Sequence, residues 1–311
     1  MPAYNAEKYI AEAINSVLNQ TYPNIELVIC NDGSIDTTAI ILSSFSMYSN
    51  VKIVHTTNKG QCAAANEAYK NSTGFYIKFF DADDKLNPQH ITEQVIKLTN
   101  NEGCIAAGTI SRFYNDDINT AIYEPLGNWK DMKPIDWLVE DNGHGLGMMQ
   151  CGMFLIPRSL LQISGTWNES LSLINDFEFF PRVMLLASKI LFTKNAIVYY
   201  RSGNLNTLSN DVSSAKLLSA YNALELTTHR ILAFENSQRV KKVLSISWNL
   251  WLYHFYLNET LLYKKAKNQL KLLGNYRDEY FKKSGSRFAN FIGWKNHKRL
   301  KYMFNKMKKN L

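Results

Sequence analysis

The chain has 311 residues, of which 46% are hydrophobic, 13% aromatic and 20% charged. This suits one large α/β domain with an appendage, or two modest domains, and excludes a disordered, fibrous or low-complexity protein. The net charge of +8 is unevenly spread: residues 1–237 carry 17 Lys+Arg against 24 Asp+Glu and residues 238–311 carry 18 against 3, so the two parts face different partners.

Residues 6–20 (AEKYIAEAINSVLNQ) set Ile10, Ala13, Ile14, Val17 and Leu18 at helical spacing, with Asn5 as N-cap and Tyr22-Pro23-Asn24 as the stop, which predicts a short helix. ELVICND (26–32) is a continuous apolar run ending in Asp32-Gly33-Ser34 and reads as a buried parallel strand. A helix is expected from Asp36 to Tyr48. VKIVHTT (51–57) repeats the strand pattern, Asn58-Lys59-Gly60 turns the chain, and Gln61 to Asn71 has the Ala-rich composition of a helix. FYIKFF (75–80) is a third strand that delivers Asp81-Ala82-Asp83-Asp84 at its C-terminal end, and Asn87-Pro88 opens the next helix. After about residue 115 the pattern loosens into an irregular, Trp-containing stretch. GMFLIPR (152–158) then reads as a strand, Asn175 to Ala187 as a helix, Lys189 to Arg201 as one or two strands, and everything from Ser213 onward as helix. This alternation predicts an α/β fold with a mostly parallel, Rossmann-like sheet and helices on both faces. The expected division is a domain over 1–210 and a basic helical region over 211–311.

Ligands of such sheets bind beyond the C-terminal ends of the strands, where Asp32 and the Asp81 cluster both fall. Three carboxylates within four residues repel one another and favour protonation unless a cation sits among them. Oxygen ligands at this density suit Mn²⁺ or Mg²⁺, with a ligand phosphate filling the open positions. The competing reading is an acidic turn that only solvates a strand end. In extended chain Asp81 and Asp83 share a face and Asp84 points away. Asp32 can accept the imide N–H of a uracil or thymine ring while Gly33 lets the backbone approach the base, although Asp-Gly alone reads first as a turn.

Four stretches, PAYNAEKYIAEAINSVLNQTYPNIELVICNDGSIDTT (2–38), NKGQCAAAN (58–66), GFYIKFFDADD (74–84) and INDFEFFPRV (174–183), together resemble in order and spacing the family 2 inverting glycosyltransferases. The resemblance spans residues 2–209 and implies the GT-A fold. It implies transfer of a sugar from a nucleotide diphosphate sugar, first of all a UDP-sugar, to a hydroxyl of a glycan or lipid-linked acceptor in cell-surface polysaccharide synthesis, assisted by Mn²⁺ or Mg²⁺. By this resemblance Pro2, Ala3, Tyr4 and Asp32 hold the nucleoside and Lys59 lies near the donor. Asp81 and Asp83 match the D-x-D that touches ribose and metal-bound pyrophosphate, Asp176 matches the catalytic base, and Arg201 matches a basic residue near the leaving pyrophosphate. The competing reading for Asp176 is an acid favoured by a helix macrodipole. Glu178 cannot share its cleft and is expected to pair with Arg182 one turn on. His144 is a loop histidine that stays off the metal set.

Two departures from the family pattern stand out. An apolar first strand normally precedes the motif at Pro2, and without it a central strand's burial, several kcal/mol out of a margin of about 5–15, is expected to be missing. Ala65-Asn66 stands where Arg-Asn is frequent, so one donor-side cation is expected to be missing or replaced.

Cys30, Cys62, Cys104 and Cys151 show no C-x-x-C pairing and read as reduced core residues. With no signal-peptide pattern and no apolar run of about 18 residues, a cytoplasmic location is expected. In residues 300–311, Leu300, Met303, Phe304, Met307 and Leu311 form one helical stripe among lysines, and Trp248 to Leu257 is aromatic-rich. Peripheral binding of this tail to an anionic inner leaflet is one expectation, and packing on protein or a second subunit is the other. No nucleic-acid module is visible. Two other readings compete. A phosphatase with an aspartyl nucleophile disagrees with Lys85 and with the two strands ahead of the cluster, and a non-catalytic nucleotide- or glycan-binding relative is the alternative function.

Overall fold

The computed structural model describes residues 1–143, 147–203, 213–274 and 294–300. It contains two compact units, Met1–Leu138 with Met148–Asp211, and Val139–Gly147 with Val212–Leu311.

In the first unit β1 (Pro2–Ala3), β2 (Leu27–Asp32) and β3 (Val51–Thr56) form a parallel sheet in the order β1-β2-β3. Every residue of β2 is buried, which is why its sequence reads as an unbroken apolar run rather than an alternating one. A second sheet is built from β4 (Tyr76–Ile77), β5 (Lys85–Leu86), β6 (Ile105–Tyr114), β8 (Phe154–Pro157) and β9 (Ile190–Ser202), in the order β4-β8-β6-β9-β5. The strand β7 (Asp117–Ile122) pairs with β6. Only β6 and β9 run parallel here, and the other pairs are antiparallel. The unit therefore has a mixed sheet system: the expected parallel pairing holds for β1 to β3 and for β6 with β9. The β6–β7 reversal comes from Asn115 and Asp116, both at positive φ (55° and 59°), the conformation of a tight hairpin turn.

The helices of this region are α1 (Ile10–Leu18), α2 (Thr38–Ser43), α3 (Gln61–Lys70), α4 (His90–Leu98), α5 (Pro134–Asn142), α6 (Arg158–Ser164) and α7 (Asp176–Met184). α1 begins later than its sequence suggests because Asn5, at φ 47°, turns its carboxamide oxygen to the Ile35 N–H instead of capping. α2 starts only after Asp36, whose carboxylate accepts the Thr38 N–H. The third strand is cut to Tyr76–Ile77. Lys78 beyond it buries its ammonium against the carbonyls of Gly152 and Phe154. Lys189 to Arg201 resolves into the single strand β9, which absorbs a register shift against β6 at Gly108/Thr109. The strands β6 and β7 and the helix α5 have no counterpart among the predicted elements.

In the second unit α8 (Ser214–Phe234), α9 (Gln238–Phe255) and α10 (Thr260–Leu272) pack together. The aromatic run from Trp248, expected at a membrane interface, is instead internal: Trp248 and Phe255 are fully buried and Trp251 is 5% exposed. Helical spacing puts these rings on one face of α9, where the Trp248 indole donates to the Thr228 hydroxyl at 2.9 Å and both Trp248 and Phe255 pack on Tyr221. The stripe over 300–311 lies outside the described residues except for Leu300, and His144 lies outside them as well. Among the described residues no helix is long and apolar enough to cross a membrane. All four cysteines are buried and unpaired with one another.

Candidate active site

The chemistry-bearing residues of the first unit lie at chain segments leaving β2, β3 and β4, at the N-terminus of α7 and at the end of β9. Asp32, the last residue of β2, is 3% exposed. Its carboxylate accepts the N–H groups of Lys59 (2.9 Å) and Gly60 (2.8 Å) and the Thr56 hydroxyl (3.3 Å), so it holds the loop that carries Lys59. Gly33 follows at φ 69°, and a Cβ there would lie 2.8 Å from the Asn58 nitrogen; only glycine lets the two loops approach this closely. Pro2 and Ala3 form β1 beside Cys30 and Asn31, and Tyr4 follows with half its surface exposed. The segment after Tyr4 is stapled to the next loop: Asn5 N–H donates to Ser34 Oγ, and Glu7 accepts both the N–H and the hydroxyl of Thr37. Pro2, Ala3, Tyr4, Asp32 and Lys59 thus come together around one loop pair. The Lys59 side chain is exposed at its rim.

The acidic cluster does not continue the strand as extended chain: Ala82 and Asp83 form a turn. Asp81 accepts from the side-chain amides of Gln61 (3.2 Å) and Gln150 (3.4 Å). Asp84 is 1% exposed and accepts Gln150 Nε2 (2.5 Å), the same amide that reaches Asp81, and the Arg201 N–H (2.9 Å). Burial first, and then the charge of Asp81, pushes the Asp83 carboxyl up to about 6, with Arg201 opposing. Burial also raises Asp81, and raises Asp84 well above the usual carboxylate range, where the charges of Asp83 and Asp81 add to the effect.

Three clustered acids held in this way are a site that a cation would relieve. Among the described residues no group of three or more His, Cys, Asp or Glu is arranged to hold an ion. With Asp84 engaged by Gln150 and Arg201, two carboxylates remain. That donor set fits Mn²⁺ or Mg²⁺, which take one or two protein carboxylates and complete their shell with phosphate oxygens and water.

Asp176 opens α7. Asn175 caps the helix by accepting the Asp176 N–H (3.0 Å), and Asp176 Oδ1 accepts the Phe177 N–H (3.0 Å). The preceding residue, Ile174, sits at φ 48°, an unfavourable conformation for a β-branched side chain and the kind of local strain that clusters at working sites. A helix N-terminus ought to lower a carboxyl's pKa. Burial instead pushes Asp176 up to about 7, with the negative charge of Asp81 adding to the rise. Asp176 thus stands at a helix N-terminus, as the macrodipole reading expects, but desolvation outweighs the hydrogen bond it accepts there, and Asp176 and Asp81 share one electrostatic environment. Glu178 and Arg182 form the expected pair, at 2.8 and 2.9 Å, away from this acid.

Arg201 lies next to the cluster, but its guanidinium is fully engaged. Nε donates to the Asp83 carbonyl (2.8 Å), the two terminal nitrogens bind Asp116 (2.5 Å) and Glu12 (2.9 Å), and the cation lies over the rings of Tyr9 and Phe113. Its side chain is 1% exposed. It braces the turn that carries Asp83. Gln61, Gln150, Glu12 and Asp116 join the site without having been singled out from sequence. Gln61 had one signal, its place directly after Asn58-Lys59-Gly60. Gln150 had none, because it lies in a stretch with no periodicity.

The sequence profile of Glycosyl transferase family 2 matches residues 1–162. Glycosyltransferase GlyG of Streptococcus pneumoniae is 28% identical over 224 residues, covering 70% of this chain and 74% of GlyG. An uncharacterized glycosyltransferase of Haemophilus influenzae is 30% identical over 222 residues, covering 69% of this chain and 82% of that protein. Two longer curated relatives are matched over only 18% and 13% of their length. The crystal structure of S. aureus TarS 1–349 in complex with UDP-GlcNAc superposes with a TM-score of 0.68 at 19% identity, covering 88% of this chain and 80% of that one, and shares its fold. With the profile covering more than half of the chain and its motifs seated on one acidic site, the chain belongs to glycosyl transferase family 2 and is a glycosyltransferase.

Proposed function

We propose that this protein transfers a sugar, with inversion, from a nucleotide diphosphate sugar of the uridine class to a hydroxyl of a glycan or lipid-linked acceptor, with Asp176 as general base. The observation that carries the reading is the half-buried Asp176 carboxyl at the N-terminus of α7, pushed up to about 7 by desolvation and by the charge of Asp81. A base poised near neutral pH takes a proton most effectively, and a positioned base contributes about 10²–10⁴-fold. In the step, the acceptor oxygen bonds to the anomeric carbon as its proton passes to Asp176. The bond from that carbon to the diphosphate oxygen breaks on the opposite face, and the diphosphate leaves with the electron pair.

Pro2, Ala3, Tyr4 and Asp32 hold the nucleoside, Lys59 covers the donor from the loop that Asp32 anchors, and Asp81 and Asp83 hold Mn²⁺ or Mg²⁺. When bound, that ion supplies positive charge for the leaving diphosphate. Arg201 serves donor binding by fixing the Asp83 turn. The uridine assignment is supported by the TarS complex, whose fold this chain shares and which holds UDP-GlcNAc. The test is a thermal-shift screen of uridine, thymidine and guanosine diphosphate sugars with and without Mn²⁺. Stabilisation confined to one uridine donor and lost in Asp83→Ala is expected, and no stabilisation by any donor overturns the reading.

For location, the charge of the C-terminal region supports cytoplasmic placement with peripheral contact at an anionic membrane. Flotation with anionic vesicles checks this: binding that is insensitive to deletion of residues 286–311 refutes it.

A further inference from the structure

Gln150 is 5% exposed, and its side chain is satisfied at one end only. Nε2 donates to Asp84 Oδ2 (2.5 Å) and to Asp81 Oδ2 (3.4 Å), while Oε1 is buried without a hydrogen-bond partner among the described residues. A buried acceptor left unpaired costs the fold stability, so the bonds made by the donor end call for a reason.

The acids supply that reason. Both oxygens of Asp81 take an amide, Oδ1 from Gln61 (3.2 Å) and Oδ2 from Gln150. Both oxygens of Asp84 are engaged as well, Oδ1 by the Arg201 N–H (2.9 Å) and Oδ2 by Gln150. The Asp83 carboxylate accepts no hydrogen bond from another of the described residues. One amide thus ties together two carboxylates that repel each other and leaves the third free. The tied pair can still bind a cation, because a carboxylate offers about four acceptor positions.

Gln150 is itself held from behind. It precedes a short 3₁₀ helix, Cys151–Met153, and three successive carbonyls there accept from side chains. The half-buried Lys78 ammonium donates to Gly152 (2.7 Å) and Phe154 (3.0 Å), and Nε2 of the fully buried Gln94 on α4 donates to Met153 (2.7 Å). Gly152 makes room for the carboxamide: a Cβ there would lie 3.0 Å from Gln150 Oε1, with carbons of Phe80 and Val198 at 3.1 Å. The backbone behind Gln150 and the seat of its amide are both fixed by neighbours outside the acidic turn.

We propose that Gln150 is a positioning residue of the acidic site: it sets Asp81 and Asp84 relative to each other before a cation binds, so that binding asks only Asp83 to move. This rests on the reading that Asp81 and Asp83 hold Mn²⁺ or Mg²⁺. Groups that orient metal-holding side chains raise affinity because the ligands need not be gathered against their own repulsion.

The test is isothermal calorimetry of Mn²⁺ with uridine diphosphate on the full chain, beside thermal melts without metal. Gln150→Met keeps the length of the side chain but offers no donor, and it should weaken Mn²⁺ binding by about 10–100-fold. Gly152→Ala should weaken it too in the otherwise native chain and add nothing to Gln150→Met, because both act on the same amide. A Gln150→Met variant that melts lower than wild type yet binds Mn²⁺ as tightly makes Gln150 a packing residue and overturns the proposal, as do losses that add in the double variant. If Gln150→Met does not fold, Gly152→Ala decides alone: weakened binding with an unchanged melt supports the proposal, and unchanged binding refutes it. A wild type that shows no Mn²⁺-dependent heat removes the metal reading itself, whereas wild type and Gln150→Met that bind equally well remove only the role of Gln150.

Discussion

Replacing Asp176 by Asn keeps an oxygen for the Phe177 N–H and removes only the ionisable group. Two consequences of opposite sign follow. For catalysis, loss of the base lowers kcat by about 10²–10⁴-fold, and the wild-type kcat/KM should rise with pH to a plateau above about 7, the position of the Asp176 carboxyl. For stability, a carboxyl raised from 3.8 to about 7 makes the folded state hold its proton longer than the unfolded chain does. Its contribution is fully present below pH 3.8 and is lost as the pH rises through about 7. A shift of roughly three units corresponds to at most about 4 kcal/mol, and partial access to water reduces this to about 2–3 kcal/mol. Asp176→Asn should therefore melt higher than wild type at pH 8, by roughly 4–10 °C, and no higher near pH 4. Initial rates with a radiolabelled donor, alongside calorimetric melts at both pH values, measure the two effects on one pair of proteins. A variant that retains more than a tenth of the activity, or that melts lower than wild type at pH 8, refutes the assignment of Asp176 as a desolvated general base.

Three further outcomes are expected. Asp83→Ala should abolish Mn²⁺-dependent stabilisation by a nucleotide diphosphate while raising the melting temperature of the metal-free protein, since it removes a partly desolvated acid that Asp81 repels; isothermal calorimetry and thermal shift check the two halves. Arg201→Ala should cost about 2–4 kcal/mol by releasing the Asp83 carbonyl and two aromatic contacts. Arg201→Lys should not restore it, because an ammonium cannot span the Asp83, Asp116 and Glu12 acceptors as the guanidinium does; urea denaturation measures both. Gly33→Ala should lose about 1–3 kcal/mol and weaken donor binding at least tenfold, since its Cβ would drive the loop of Asn58 away from β2; fluorescence titration with a uridine diphosphate sugar reads the second effect.

Local patterns were enough to reveal β2, β3, α3 and α7, because continuous apolar runs and helical spacing are properties of neighbouring residues. The same is true of the acidic cluster and of the Glu178–Arg182 pair, whereas the role expected of Asp176 came only from the family resemblance. Those residues identified the family and the chemistry of the site.

What the sequence alone left undecided depends on residues far apart in the chain. The antiparallel pairing of β4 with β8 and of β5 with β9 joins partners 79 to 114 residues apart, and β6 has no legible period because it is buried along nearly all its length. The use of Arg201 as a brace follows from Glu12 and Asp116, which meet it only after α1, β6 and β9 are assembled. The burial that lifts Asp176 to about 7 exists only once α7 is packed, since a carboxyl's affinity for its proton is set by the water and charge around it. The aromatic residues of α9 likewise became core rather than surface because α8 and α10 cover them, and no composition records which neighbour will arrive.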